Sequence, residues 1–105
     1  PFDDFQKMPS RVSTILAAEK VAKTKKLLKL TGDTGIDKRE IVSGIAEYYT
    51  PEELVGKQVL VLVNLEPREL KGILSRGMIL MAQDASGKLR LLQPDDQTNP
   101  GATVG

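Results

Sequence analysis

Between Val63 and Leu80 the sequence reads VNLEPRELKGILSRGMIL, with polar and cationic side chains set between two apolar runs. Arg68, Lys71 and Arg76 can each hold a phosphate oxygen, Asn64 brings an amide, and Ser75 a hydroxyl. Met78 is a flexible, polarisable platform against which a base can lie, and Gly77 lets a backbone approach closely. Together these are groups that could wall a groove for a phosphate backbone. Each also has a plainer role: Asn64 as a turn cap, Met78 as core, Gly77 as a bulge.

A second source of cations lies upstream. Lys20–Leu30 holds Lys20, Lys23, Lys25, Lys26 and Lys29 with no acid among them, a local charge of +5. From Thr31 to Gly56, Lys38 and Arg39 face six acids, a local −4; Lys57, Arg68, Lys71 and Arg76 then face only Glu66 and Glu69. The whole chain is +1, so bulk charge gives no polyanion binder. Two basic segments around an acidic one can still form a positive face if the fold joins them; the alternative is a solvated lysine-rich loop.

The residue inventory excludes more than it permits. There is no His and no Cys, so the usual general base, the commonest metal ligand, thiolate sites and disulfides are all missing. Asp33, Asp37, Glu52, Glu53, Asp95 and Asp96 stand in turn-like sequence, where carboxylates serve as caps. No catalysis, cofactor or metal is expected of this chain. The aromatics are Phe2, Phe5, Tyr48 and Tyr49, none in mid-strand, so stacking along an unpaired run is largely unsupported. Any nucleic acid would be read through backbone shape and a few exposed bases.

The elements that must position these groups are mostly strands. RVSTILA alternates with β-branched residues, KREIVSGI follows a turn at Gly32–Gly35, KQVLVLV is apolar on both faces and so central, and MILMA is a further strand. ASGK marks a hairpin turn into a weak last strand, KLRLL. Thr50, Pro51 and Glu53 spell a capping box for a helix of about one turn that Gly56 ends. FDDFQK suggests a short N-terminal turn. AAEKVAKTKKLLKL stays ambiguous, because its propensity and spacing suit a basic amphipathic helix. With 105 residues the chain makes one domain, 1–105, all-β, most simply a five-stranded barrel with a short helix after strand three. No run is long enough to span a membrane and no signal peptide is visible; the lack of Cys fits a cytoplasmic setting. A first residue of Pro rather than Met suggests a piece of a longer chain.

FQKMPSRVSTILAAEK, KLLKL, IVSGIAEYYTPEELVGKQVLVLVNLEPRELKGILSRGMIL and PDDQTNPGATVG resemble the tRNA-binding domain at the C-terminus of many bacterial methionyl-tRNA synthetases. The same module is similar to free-standing dimeric tRNA-binding proteins and to the C-terminal part of endothelial monocyte-activating polypeptide II. The resemblance covers essentially the whole chain, and IVSGIAEYYTPEELVGK is its most specific part. It departs at Pro9-Ser10 before Arg11, at Ser13 where the family often has Gly, and in Val21–Lys25, where an acid is replaced by lysines.

The resemblance implies an OB-fold barrel whose C-terminal extension forms a dimer contact, with Lys20–Lys26 a loop and Leu27–Leu30 opening strand two. It implies a non-catalytic domain that binds tRNA through shape and phosphate contacts and raises the tRNA affinity of a parent methionine–tRNA ligase, whose catalytic region is a further partner. Lys26, Arg39, Lys71 and Arg76 are then the phosphate partners, and Asn64, Ser75 and Met78 complete the site. Two other functions fit: a free-standing dimeric tRNA-binding or chaperone-like protein, and a structural dimerisation module without RNA contact.

Overall fold

The computed structural model describes residues 10–63 and 66–104. The N-terminal FDDFQK segment and Asn64 lie outside the described residues. Among those described, the architecture is a nearly closed β-barrel with one short helix.

Strand β1, Ser10–Lys20, is the longest and organises the rest. Its first half pairs antiparallel with β4, Gln58–Leu62, on one side and with the short β10, Thr103–Val104, on the other. Its second half pairs with β2, Leu28–Asp33, and β2 with β3, Lys38–Ser43. A register shift between Ile15 and Ala17 lets one strand serve both halves, because a bulge bends the chain where the partners change. Strand β7, Met78–Ile79, lies on the far edge of β4, giving the order β3-β2-β1-β4-β7.

Closure comes from β3 meeting the segment before β7. The Arg76 N–H donates to the Glu40 carbonyl at 2.9 Å, and the Val42 N–H donates to Ser75 Oγ at 2.9 Å. One bond of the seam is therefore supplied by a side chain. Ile15, Leu28, Leu30, Ile41, Val59, Val61 and Ile79 fill the core together with Ile45, Leu54 and Val63.

Leu54 comes from the helix α1, Pro51–Leu54, whose predicted capping box is present. The Thr50 N–H donates to Glu53 Oε1 at 2.8 Å, and Thr50 Oγ1 accepts from the Glu53 N–H at 3.4 Å. Gly56, at φ +89°, ends the turn and donates its N–H to the Ile15 carbonyl at 2.8 Å, at the bulge.

Several expectations are corrected. The ambiguous AAEK is strand, so β1 runs to Lys20; the loop is residues 21–27, one residue later than the Lys20–Lys26 that the resemblance implies, and β2 opens at Leu28, not Leu27. The turn expected at Gly32–Gly35 starts later, because Gly32 and Asp33 are paired within β2. A Cβ on Gly32 would stand 2.5 Å from Ser13 Oγ, so that glycine serves close strand packing. MILMA is broken at Leu80 into β7 and β8, Met81–Gln83, and β8 pairs with β9, Leu89–Leu91. The connection before β7 contains a hairpin not expected from the sequence, β5 Arg68–Leu70 and β6 Ile73–Ser75.

Candidate nucleic-acid interface

The lysine loop is built on a narrow neck. The Val21 N–H donates to the Leu27 carbonyl at 3.2 Å, the Lys26 N–H to Thr24 Oγ1 at 3.2 Å, and the Ala46 N–H to the Lys26 carbonyl at 3.0 Å. Lys20, Lys23, Lys25 and Lys26 are all exposed. Lys29 is different. Its ammonium lies 2.7 Å from Glu19 and 3.8 Å from Glu40, and the Glu19 hydrogen bond, then the charges of Glu19 and Glu40, raise its pKa. The outer face of β1–β2–β3 is thereby neutralised at that point. Of the +5 counted in the sequence, the loop proper keeps the part that faces water.

The second wall is the β5–β6 hairpin. Leu70 faces Ile73 across a two-residue loop in which Lys71 has φ +52° and Gly72 φ +81°. Both central residues at positive φ define the mirror turn that matches strand twist, where Asn-Gly is the easy choice. A lysine there is strained relative to Asn or Gly. Among the described residues the other non-glycine at positive φ is Lys23, at +65°, in the lysine loop. Strained backbone is found disproportionately at binding sites, and here both instances carry an ammonium at a loop tip.

Beside this hairpin lies a groove of about 540 Å³. Val42, Pro67, Leu70 and Met78 give it apolar surface, Arg68 and Glu66 give it charge, and Ser43, Gly44, Ser75 and Gly77 line the remainder. Its position follows from strand register. Leu28 pairs with both Lys20 and Ser43, so the lysine loop and the Ser43–Gly44 rim share one end of the sheet.

The seven expected site residues divide. Lys26 and Lys71 are exposed at loop positions, and Met78, 48% exposed, lines the groove. Arg76, with its side chain 46% exposed, stands just before Gly77 and Met78. Ser75 is 5% exposed, and its hydroxyl is engaged internally, accepting from the Val42 N–H and donating to the Gly77 carbonyl at 3.2 Å. Arg39, its side chain 15% exposed, points along the barrel end. Its Nε donates to both Asp37 oxygens at 3.0 Å, and its Nη1 donates to the Val63 carbonyl and to the Arg76 carbonyl at 3.3 Å. Asn64, as noted, is outside the described residues.

Sequence reasoning passed over Pro67, Ser43 and Gly44 as groove residues, since nothing in their types signals a ligand. It also read Asp37 as a solvated turn acid. The Thr34 hydrogen bond lowers its pKa below the usual carboxylate value; burial opposes it, and Arg39 and then Arg76 add smaller lowering effects. Tyr49 is half-buried and its hydroxyl donates to the Leu89 carbonyl at 3.3 Å, holding β9. Among the described residues no cluster of three or more His, Cys, Asp or Glu could hold a metal, and no helix is long and apolar enough to cross a membrane.

A small, nearly closed antiparallel barrel with a short helix after its third strand has the architecture that binds oligonucleotides and oligosaccharides. Residues 10–103 match the family described as putative tRNA binding domain, and the chain belongs to that family. Among curated relatives, a methionine–tRNA ligase of Cytophaga hutchinsonii is 64% identical over 104 residues, covering 99% of this chain and 15% of the relative. The chain thus spans about 15% of the length of such relatives. Among solved structures, a MetRS-related protein of Pyrococcus horikoshii superposes with a TM-score of 0.93 at 40% identity, covering 100% of this chain and 96% of that one. The chaperone CsaA of Bacillus anthracis str. Ames gives 0.90 at 27% identity, covering 100% and 97%.

Proposed function

We propose that this domain binds tRNA without catalysing any reaction on it, as one part of a longer, cytoplasmic methionine–tRNA ligase chain whose catalytic region lies elsewhere. The observation that carries the proposal is the shared barrel end of the lysine loop and the groove rim, within a chain of the tRNA-binding family. Lys26, Lys71 and Arg76 are the phosphate contacts, Met78 the surface against which an exposed base lies, and Asn64 a further polar contact. Arg39 and Ser75 contribute by holding the wall: Arg39 Nη1 donates to the Arg76 carbonyl, and the Ser75 hydroxyl donates to the Gly77 carbonyl.

The domain acts as a homodimer in this proposal. Half-buried Leu60, Leu62, Leu80, Met81 and Leu91 leave apolar surface along β4 and the β8–β9 hairpin for a second copy. Dimerisation doubles the cationic surface offered to one RNA and supports higher affinity at a modest net charge.

Charge-driven binding must fall steeply with salt, with a slope set by the number of phosphates neutralised. Titration of bulk tRNA at several salt concentrations tests this. Lys71→Ala and Arg76→Ala should each weaken all tRNAs alike and flatten the slope by about one unit. Unchanged affinity in both variants at moderate salt removes the groove from the proposal. The likeness to CsaA and the apolar groove lining also favour a chaperone-like reading; an extended apolar peptide that displaces tRNA stoichiometrically would support it.

A further inference from the structure

Arg39 and Arg76, both expected to meet phosphate, already share an anion. The Asp37 carboxylate chelates Arg39 Nε and lies 4.0 Å from Arg76 Nη2. That carboxylate is itself braced. Thr34 Oγ1 donates to Asp37 Oδ1 at 2.7 Å, and the Thr34 N–H donates to the Asp37 carbonyl at 2.9 Å. Behind Thr34, Gly35 packs on the C-terminal tail so closely that a Cβ would stand 2.7 Å from the Gly101 Cα. Gly101 is in turn tied to β1, its N–H donating to the Val12 carbonyl at 2.7 Å.

The cationic partner is fixed as well. The Arg76 peptide is gripped by β3 at both ends, its N–H on the Glu40 carbonyl and its carbonyl on Arg39 Nη1. An acid and a base with their backbones both locked are not a chance surface pair. The carboxylate cancels part of the field that any passing polyanion would feel, and a phosphate can take Arg76 only by competing with it.

We propose that Asp37 is a specificity-determining residue of the interface: it occupies the Arg39–Arg76 pair in the free protein and yields Arg76 only to an RNA backbone already seated on the lysine loop and groove. This rests on the tRNA-binding proposal above. An unstructured polyanion meets loop lysines alone, whereas a docked, shaped RNA presents its phosphate at fixed range and displaces the carboxylate. The preference for folded RNA then comes partly from an acid, not from an added base.

The test compares tRNA with poly(U) for the wild-type protein, Asp37→Asn, Asp37→Glu and the charge control Glu52→Gln, with thermal melts confirming the fold. Asn keeps an oxygen to accept from Thr34 while removing the charge. Asp37→Asn should tighten poly(U) binding by about three-fold or more and steepen its salt slope by about 0.7, the value for one more single-strand phosphate. The tRNA-to-poly(U) preference should fall accordingly. Asp37→Glu and Glu52→Gln should keep the wild-type preference. Arg76→Gln gives an independent arm: it should cost tRNA binding more than poly(U) binding, by about three-fold, since Arg76 is masked from the latter.

A folded Asp37→Asn with the wild-type preference overturns the inference, as does an Arg76→Gln that weakens both ligands equally. Parallel weakening of both ligands in Asp37→Asn also overturns it, because the carboxylate is then only a brace. If wild-type protein prefers poly(U) or binds neither, the tRNA-binding proposal itself fails; a wild-type preference for tRNA that survives Asp37→Asn sinks this inference alone.

Discussion

Lys71 and Ser75 sit four residues apart in one hairpin and illustrate two ways of contributing to a site. Lys71 holds a positive φ in a turn that Asn would adopt with less strain, and its ammonium is exposed. Ser75 is buried, and its hydroxyl completes the seam to β3. Lys71→Asn should therefore leave the melting temperature equal or higher while weakening tRNA binding. Ser75→Ala should behave the opposite way first: it strips the Val42 N–H of its acceptor, at a cost of about 1–3 kcal/mol. Thermal melts alongside tRNA titrations separate the two, and a Lys71→Asn protein with full tRNA affinity would take that residue out of the interface. Of the seven residues expected from sequence, Lys26, Lys71, Arg76 and Met78 carry long side chains that reach water from loop and strand-end positions. Arg39 and Ser75 were legible as polar groups beside the site, but which way each points depends on strand register, and Arg39 shares the inward alternation of Ile41.

At the scale of elements, local chemistry was read well and long-range pairing less well. The capping box around α1 and the turn into β9 depend on neighbours in sequence, and both are present. The AAEK segment is strand because pairing to β2 overrides a helix propensity worth only tenths of a kcal/mol per residue. The β5–β6 hairpin escaped because its strands are three residues each, with no alternation to detect, and its turn uses Lys-Gly in place of Asn-Gly. The β8–β9 hairpin makes its own prediction. Asp84 accepts from the Ser86 hydroxyl at 2.6 Å and N–H at 2.9 Å, from the Lys88 N–H at 3.1 Å and from Arg90 Nε at 2.9 Å. The Ser86 hydroxyl, then Arg90, hold its pKa down at about 2, from 3.8. A carboxylate with a depressed folded pKa stabilises above its unfolded pKa and loses that contribution as pH falls through the folded value. Asp84→Asn should thus melt below the wild type from pH 5 upward, and the two should converge as pH approaches about 2. Parallel melting curves across that range would contradict the role assigned to Asp84.

For the molecule as a whole, a net charge of +1 conceals an uneven distribution. Lys29 is answered by Glu19 and Glu40, Arg90 by Asp84, and Arg39 by Asp37, so three cations outside the loop tips are paired within the described residues. Cations facing solvent include the lysine loop, Arg68 and Lys71 beside the groove, Arg76 next to Asp37, and Lys38 at the start of β3. The barrel brings together segments some forty residues apart through the Leu28–Ser43 pairing and the β3–Ser75 seam. Amide chemical-shift mapping during titration with tRNA tests that convergence most directly. The largest changes should fall together on residues 21–27, Ser43–Gly44 and Arg68–Met78, and should shrink in step as salt rises. Changes confined to the tail at residues 93–98 and to β10, with those three segments silent, would contradict it.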